Sequence, residues 1–81
     1  MKGKFVTPRF TMNGGGVPVW STADWGWNSM NFLDFIRHGE ICLVIQEARQ
    51  HMKQGDVKVL NVVTPRGVVG WVDQGNIKKI S

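Results

Sequence analysis

Residues 55–80, GDVKVLNVVTPRGVVGWVDQGNIKKI, decide the fold that the sequence predicts. The segments "VKVLNVV" and "VVGWVD" are rich in β-branched residues and have the length of strands. "TPRG" between them is typical of a turn, because proline suits its second position and glycine its fourth. "QGN" before "IKKI" indicates a single helical turn that leads into a last short strand. The expected order is therefore a hairpin, a helical turn and a closing strand.

The chain before residue 55 continues this pattern of short strands separated by turn residues. "GKFVTPRFTM" is a first extended segment, and the glycine-rich residues 13–16 form a turn that tolerates positive φ. "VPVW" is a second short strand. "NFLDFIRHGEICLVIQEA" has some helical spacing, but Gly39 interrupts it and "ICLVIQ" is typical of a buried strand. Residues 48–56 are expected to be a polar connector, either one helical turn or a hairpin loop that closes at Gly55.

The length of 81 residues predicts one small domain with a thin core. We expect an all-β fold, a small barrel of five to six short strands with one helical turn before the last strand. Residues 1–16 are interpreted as an added N-terminal strand and turn, and residues 17–81 as the barrel.

The order of features over residues 17–80 resembles the Src-homology-3-like barrel family, especially its bacterial form. Gly39-Glu40 matches a Gly-acidic pair before the second core strand of that family. The later "G-x-x-G-W-V" of the family corresponds to "GVVGWV", which "DQGN" and a final strand follow. "VPVWST" is similar to the short strand that opens bacterial members. The resemblance implies a non-catalytic binding barrel.

The ligand groove of the peptide-binding members is where this sequence departs from the family. Their specificity tryptophan is replaced by Val57 and Lys58, their proline after the "G-W-V" strand by Asp73, and the tyrosine of their helical turn by Asn76. Polyproline recognition needs an aromatic-lined groove. That function is therefore not expected here.

The composition offers few groups for catalysis or metal binding. Cys42 is the only cysteine and lies in an apolar run, which predicts a small buried hydrophobe. His38 and His51 have no cysteine pair nearby, so no metal site is expected. The carboxylates are dispersed, and Asp34 is interpreted as a hydrogen-bonding residue. We expect no enzyme activity and no cofactor.

Charge and hydropathy restrict the partners. The net charge is +4, from ten Lys and Arg against six Asp and Glu, and no block of five or six like charges occurs. This distribution favours a solvated mixed surface over a dedicated nucleic-acid face. No stretch approaches the ~18 apolar residues of a membrane span, and no signal peptide opens the chain. The expectation is a cytoplasmic protein without membrane contact.

The four tryptophans are divided by their context. Trp20 and Trp71 end or occupy predicted strands and are expected in the core. Trp25 and Trp27 lie in the loop "STADWGWNSMN", where they point to opposite sides if the loop is extended. Tryptophan is also enriched in interface hot spots. The predicted partner-binding residues are Trp25, Trp27, Met30, Phe32 and Arg37.

These observations predict a non-catalytic protein-interaction or assembly module that binds a protein partner through an aromatic loop, such as a bacterial or phage accessory protein. One alternative is a nucleic-acid-binding barrel, whose RNA or DNA contacts would combine tryptophan stacking with scattered basic residues: Arg9, Arg37, Arg49, Lys53 and Arg66. Another is an architectural subunit that adds an exposed edge strand to a partner sheet. Steep salt dependence would distinguish nucleic-acid binding from the others.

Overall fold

The computed structural model describes residues 1–9, 16–23, 30–52 and 55–80 of the chain. These ranges contain seven strands and one 3-10 helix of a single turn. In chain order the elements are β1 (Phe5–Pro8), β2 (Val17–Trp20), β3 (Phe32–Ile36), β4 (Cys42–Met52), β5 (Gly55–Val63), β6 (Val69–Asp73), the 3-10 turn (Gln74–Asn76) and β7 (Ile77–Lys79).

The strands form one antiparallel sheet with the order β3-β2-β6-β5-β4-β1-β7. The sheet curls into a half-barrel. The all-β class and the helical turn before the last strand are as the sequence predicted. Asp73 caps that turn, because its side chain accepts a hydrogen bond from the N–H of Gly75 at 2.8 Å. Six of the seven described strands, β2 to β7, lie in residues 17–80, within the five to six expected for the barrel, and β1 is the strand expected before it.

The first strand is built into the common sheet. Val6 of β1 pairs with Cys42 of β4 on one side and with Lys79 of β7 on the other. Val6 and Pro8 are fully buried. Residues 1–16, which the sequence analysis set apart from the barrel, therefore contain a strand that joins β4 to the last strand.

The polar connector expected over residues 48–56 is wrong. β4 runs on to Met52 and pairs with β5 down to Gly55, so most of this segment belongs to a long hairpin. Its pairs include Ala48 with Val59 and Arg49 with Lys58. Backbone pairing with the valine-rich β5 holds polar residues in a strand, since their side chains can remain in water.

The core lies on the inner face of the curled sheet. In β2, buried Val17 and Val19 alternate with half-buried Pro18 and Trp20, as the two-residue period of a strand requires. The predicted burial of Cys42 is confirmed, with 1% of the residue exposed. The core cluster consists of Val6, Val17, Val19, Ile36, Cys42, Val44, Leu60, Val62, Val72 and Ile77.

The prediction that Trp20 and Trp71 form the core is wrong. Both are half-buried and neither belongs to the core cluster. Trp20 alternates with the inward Val19, and Trp71 lies between inward Gly70 and Val72. The strand period therefore directs both indoles to the outer face of the sheet.

Glycine is required at position 70 by close packing. A Cβ there would lie 2.5 Å from Cγ1 of Val19 and 2.8 Å from the carbonyl oxygen of Trp20. Both distances are far below van der Waals contact. The absence of a side chain at Gly70 thus lets β2 approach β6, which holds the two halves of the sheet together.

Replacing Gly70 by alanine is expected to lower the free energy of unfolding by about 1–3 kcal/mol, as overpacking of a core does. Urea unfolding followed by tryptophan fluorescence measures the change. Gly75→Ala is the matched control, because the nearest atom to a Cβ there is 3.3 Å away and is the end of the Asp73 side chain. Equal losses in the two variants would contradict the packing argument.

Candidate functional site

Aromatic side chains form a row across the outer face of the sheet. Phe32 of β3 pairs with Trp20 of β2, and Trp20 pairs with Trp71 of β6. Directly paired residues of antiparallel strands point to the same face. The row continues through Asn61 of β5 to Gln46 of β4, so it is aromatic at the β3 end and polar at the other.

A register shift brings one more ring to this face. Phe32 and Phe35 are three residues apart, a spacing that places side chains on opposite faces of a regular strand. In the pairing of β3 with β2, Leu33 has no partner residue. Phe35 therefore lies opposite Pro18 and shares the face of Phe32. The two rings have centroids 4.7 Å apart.

Trp20, Phe32, Phe35 and Trp71 together are called the aromatic surface below. The rings of Trp20 and Phe32 meet edge to face, with centroids 6.1 Å apart. Such contacts stabilise aromatic pairs beyond the area that they bury. Phe32 and Phe35 nevertheless each remain 37% exposed. The cluster is therefore ordered by its own contacts and still open to a partner.

The predicted partner-binding residues fall in different places. Trp25 and Trp27 lie outside the described residues. Met30 is 91% exposed just before β3, and Phe32 belongs to the aromatic surface. Arg37 is exposed at the other end of β3.

Sequence reasoning missed three members of the aromatic surface as binding residues, namely Trp20, Phe35 and Trp71. The alternation in "VPVW" was a usable signal, because burial of Val17 and Val19 directs Trp20 outward.

Beside the aromatic surface, Arg66 of the β5–β6 turn joins two carboxylates. Its Nε donates to Oδ2 of Asp34 at 2.7 Å, and its Nη1 and Nη2 donate to the two oxygens of Glu40 at 2.5 and 3.0 Å. Glu40 also accepts from the N–H of Arg37 at 2.7 Å. Planar guanidinium groups suit such forked contacts. The network connects β3, the β3–β4 turn and the β5–β6 turn.

These hydrogen bonds change the titration of Glu40. The bond from Arg66, followed by the bond from the N–H of Arg37, lowers the pKa of Glu40 from 4.5 to about 2. The hydrogen bonds of Arg66 to Glu40 and then to Asp34 raise the pKa of Arg66. The carboxyl group of Glu40 therefore stays ionised to a lower pH than that of an ordinary glutamate.

The network also covers part of the open edge of β3. The carbonyl of Phe35 accepts from Nη2 of Arg66 at 2.7 Å, and the N–H of Phe35 donates to Oδ1 of Asp34 at 2.8 Å. Both backbone groups of Phe35 are thus occupied by side chains. At this residue the edge is closed to an added strand.

Three of the described groups with nucleophilic or acid–base chemistry, Cys42, Asp34 and Glu40, are buried or bonded to Arg66. Burial raises the pKa of the Cys42 thiol to about 11, which keeps it protonated and unreactive near neutral pH. Asp34 and Glu40 both bond to Arg66, and Asp34 does so from within β3 and not from the loop or turn that its sequence context suggests. Within residues 1–9, 16–23, 30–52 and 55–80, no three His, Cys, Asp or Glu side chains are grouped to hold a metal ion.

The basic residues of the nucleic-acid alternative lie in separate settings. Arg37 and Arg66 both contact Glu40, and Arg49 lies opposite Lys58 on the long hairpin. Arg9 follows β1, and its guanidinium donates to the carbonyl of Ile77 at 3.4 Å. Lys53 lies outside the described residues.

Comparison with known proteins returns no relative: no family model matches the chain, and neither a curated protein nor a solved structure matches it significantly. The resemblance to Src-homology-3-like barrels therefore stays a prediction. In the part of the chain that the structure describes, no helix has the length and apolar character needed to cross a membrane.

The pKa of Glu40 predicts a loss of stability in acid. A group whose pKa is lower in the folded state stabilises the fold above its unfolded value and loses that contribution as the pH falls. The free energy of unfolding should therefore decline from about pH 4.5 towards pH 2, the two values for Glu40. Urea unfolding across this range measures the decline.

Glu40→Gln should make this acid decline shallower, and Arg66→Gln should do the same because it removes the same pair. The double variant should flatten the acid decline by less than the sum of the two single effects, since the two residues share an interaction. An unchanged pH profile in both single variants would contradict the assignment.

Proposed function

We propose that this protein is a non-catalytic interaction module that binds a protein partner through the aromatic surface. The observation that carries the proposal is the exposure of Phe32 and Phe35 in a cluster of ordered rings at the edge of the sheet. Met30, which is 91% exposed, extends the same end of β3.

The chemistry of this surface favours a partner with apolar side chains. Large aromatic residues grouped on a surface are characteristic of interaction sites, and tryptophan dominates binding energy in many interfaces. The nearby Asp34 and Glu40 are both bonded to Arg66, so that the rim is polar and these three residues carry a net charge of −1. An apolar centre with a polar rim is the usual arrangement of a protein interface.

Contact through side chains is favoured over strand addition. The backbone groups of Phe35 are already bonded to Asp34 and Arg66, so a partner strand would have to displace an ion pair there. The other end strand of the sheet, β7, carries Lys78 and Lys79, and edge lysines discourage pairing between strands. The partner therefore docks on the outer face in this proposal. Trp25 and Trp27, in the loop between β2 and β3, are the further residues that it would meet.

The test compares Phe32→Ala/Phe35→Ala with the control Ile41→Ala/Ile80→Ala. The control removes two side chains that are 50% and 48% exposed but lie outside the aromatic surface. Tagged protein is incubated with a lysate of the cells that make it, with and without nuclease. We expect the tagged protein to capture a partner protein from the lysate, and this binding should resist nuclease and high salt. The control variant should capture the same protein, and Phe32→Ala/Phe35→Ala should not.

Circular dichroism and thermal melting of both variants establish that they fold. Sedimentation of the purified protein shows whether a second copy occupies the surface. Equal retention by the two folded variants would overturn the proposal, and so would retention that nuclease abolishes.

A further inference from the structure

The net positive charge of the protein is concentrated in the two strands at one end of the sheet, β1 and β7, and in the residues that flank them. Residues 1–9 and 74–80 contain five of the ten basic residues and no Asp or Glu. The rest of the chain keeps five basic and six acidic residues, a net charge of −1. The five basic residues are Lys2, Lys4, Arg9, Lys78 and Lys79, which are called the basic edge below.

Strand pairing brings these residues together from the two ends of the chain. Thr7 pairs with Lys78 and Val6 with Lys79, where β1 meets β7. The N–H of Arg9 donates to the carbonyl of Asn76 at 2.9 Å, which continues the pairing beyond the strands. All five side chains of the basic edge are in exposed residues.

Two acidic residues that contact β1 or the N-terminus already have their carboxylates bonded to other groups. Glu40, whose carbonyl accepts from the hydroxyl of Thr7 at 2.8 Å, gives its carboxylate to Arg66. Glu47 bonds to the N-terminal amine of Met1 at 2.9 Å. Among the described residues, no carboxylate forms an ion pair with the basic edge. The edge therefore presents a concentrated positive potential to solvent.

An exposed aromatic ring accompanies these cations. Phe5 is 47% exposed and, by the alternation of β1, points to the same face as Thr7 and Arg9. Lys78 lies directly opposite Thr7, so it is a diagonal neighbour of Phe5 at about 7–8 Å. The carbonyl of Phe5 accepts from the N–H of Ile80 at 2.9 Å, which holds the chain ends side by side.

We propose that the basic edge binds single-stranded nucleic acid. Lysine and arginine contact the phosphates, and a base stacks on Phe5, which is the combination that sequence-tolerant single-strand binding uses. The exposed ring favours this polymer over an acidic peptide, which has the charge but not the regular supply of stacking faces. This surface shares no residue with the aromatic surface, so the two proposals can fail separately.

The experiment titrates the complete protein into fluorescein-labelled oligothymidylate and follows anisotropy between about 50 and 200 mM salt. Binding should weaken steeply with salt, because each neutralised phosphate contributes about 0.7 to the logarithmic slope for a single strand. Arg9→Gln/Lys78→Gln, which removes two cations on the face of Phe5, should weaken binding and reduce the slope by about 1.4, the value for two lost phosphate contacts.

Arg49→Gln/Lys58→Gln is the matched control, since it removes the same charge from exposed residues on the long hairpin. Arg49 is seven residues along β4 from Cys42, the partner of Val6, and so roughly 20 Å from the pairing of β1 with β7 that positions Lys78. Phe5→Leu keeps an apolar side chain at that position. It should weaken binding without changing the salt slope, because only stacking is lost.

Three outcomes would overturn the proposal. The first is an absence of saturable binding at the lowest salt. The second is an equal effect of the two charge-removing variants, both folded by circular dichroism. The third is equal competition by polyglutamate of matched charge, or by vesicles of phosphatidylcholine and phosphatidylserine, because either would indicate a general anion surface.

Discussion

The contacts of the Arg66 guanidinium hold together parts of the chain that are far apart in sequence. They join the β5–β6 turn to Asp34 in β3, to Glu40 in the β3–β4 turn and to the backbone of Phe35. Each of these partners lies at or beside the open edge of the sheet. The network therefore fixes the position of β3, and with it the rings that β3 presents. Because the group is exposed on one side, water screens the charge interactions, and the several directed hydrogen bonds give the network its geometric effect.

The small size of the protein explains why large aromatic side chains lie outside the core. A chain of 81 residues buries a limited volume, and most of the core cluster is valine and isoleucine. Gly70 makes the inner face still narrower by letting β2 approach β6. The valine and isoleucine side chains fill the inner face, and the strand period turns Trp20 and Trp71 to the outer face.

The strand order separates two chemically different surfaces. The aromatic surface belongs to β2, β3 and β6, and the basic edge to β1, β7 and their flanking residues. The first suits a protein with apolar side chains and the second suits a polyanion. Neither depends on catalytic chemistry: Cys42 is buried, and the carboxylates of Asp34 and Glu40 are bonded to Arg66.

The sequence by itself determined the local structure. The turn at residues 64–67 is closed by a bond from the N–H of Gly67 to the carbonyl of Thr64, at 2.9 Å. The 3-10 turn, the first part of β4 and the burial of Cys42 were equally readable, because each depends on residues close together in the chain. These signals are turn propensity, a β-branched run and the two-residue period, and none requires a distant partner.

Only the tertiary structure decided which surfaces these elements form. The register shift past Leu33 places Phe35 beside Phe32, and it exists through pairing with β2. Residues 48–52 become strand because β5 pairs with them, although their composition is that of a connector. The basic residues are scattered in sequence and gathered where β1 meets β7, at opposite ends of the chain. The physical reason is the same in each case. Hydrogen bonds between strands join residues that are distant in sequence, and the pattern of neighbouring residues along the chain does not specify which distant residues will pair.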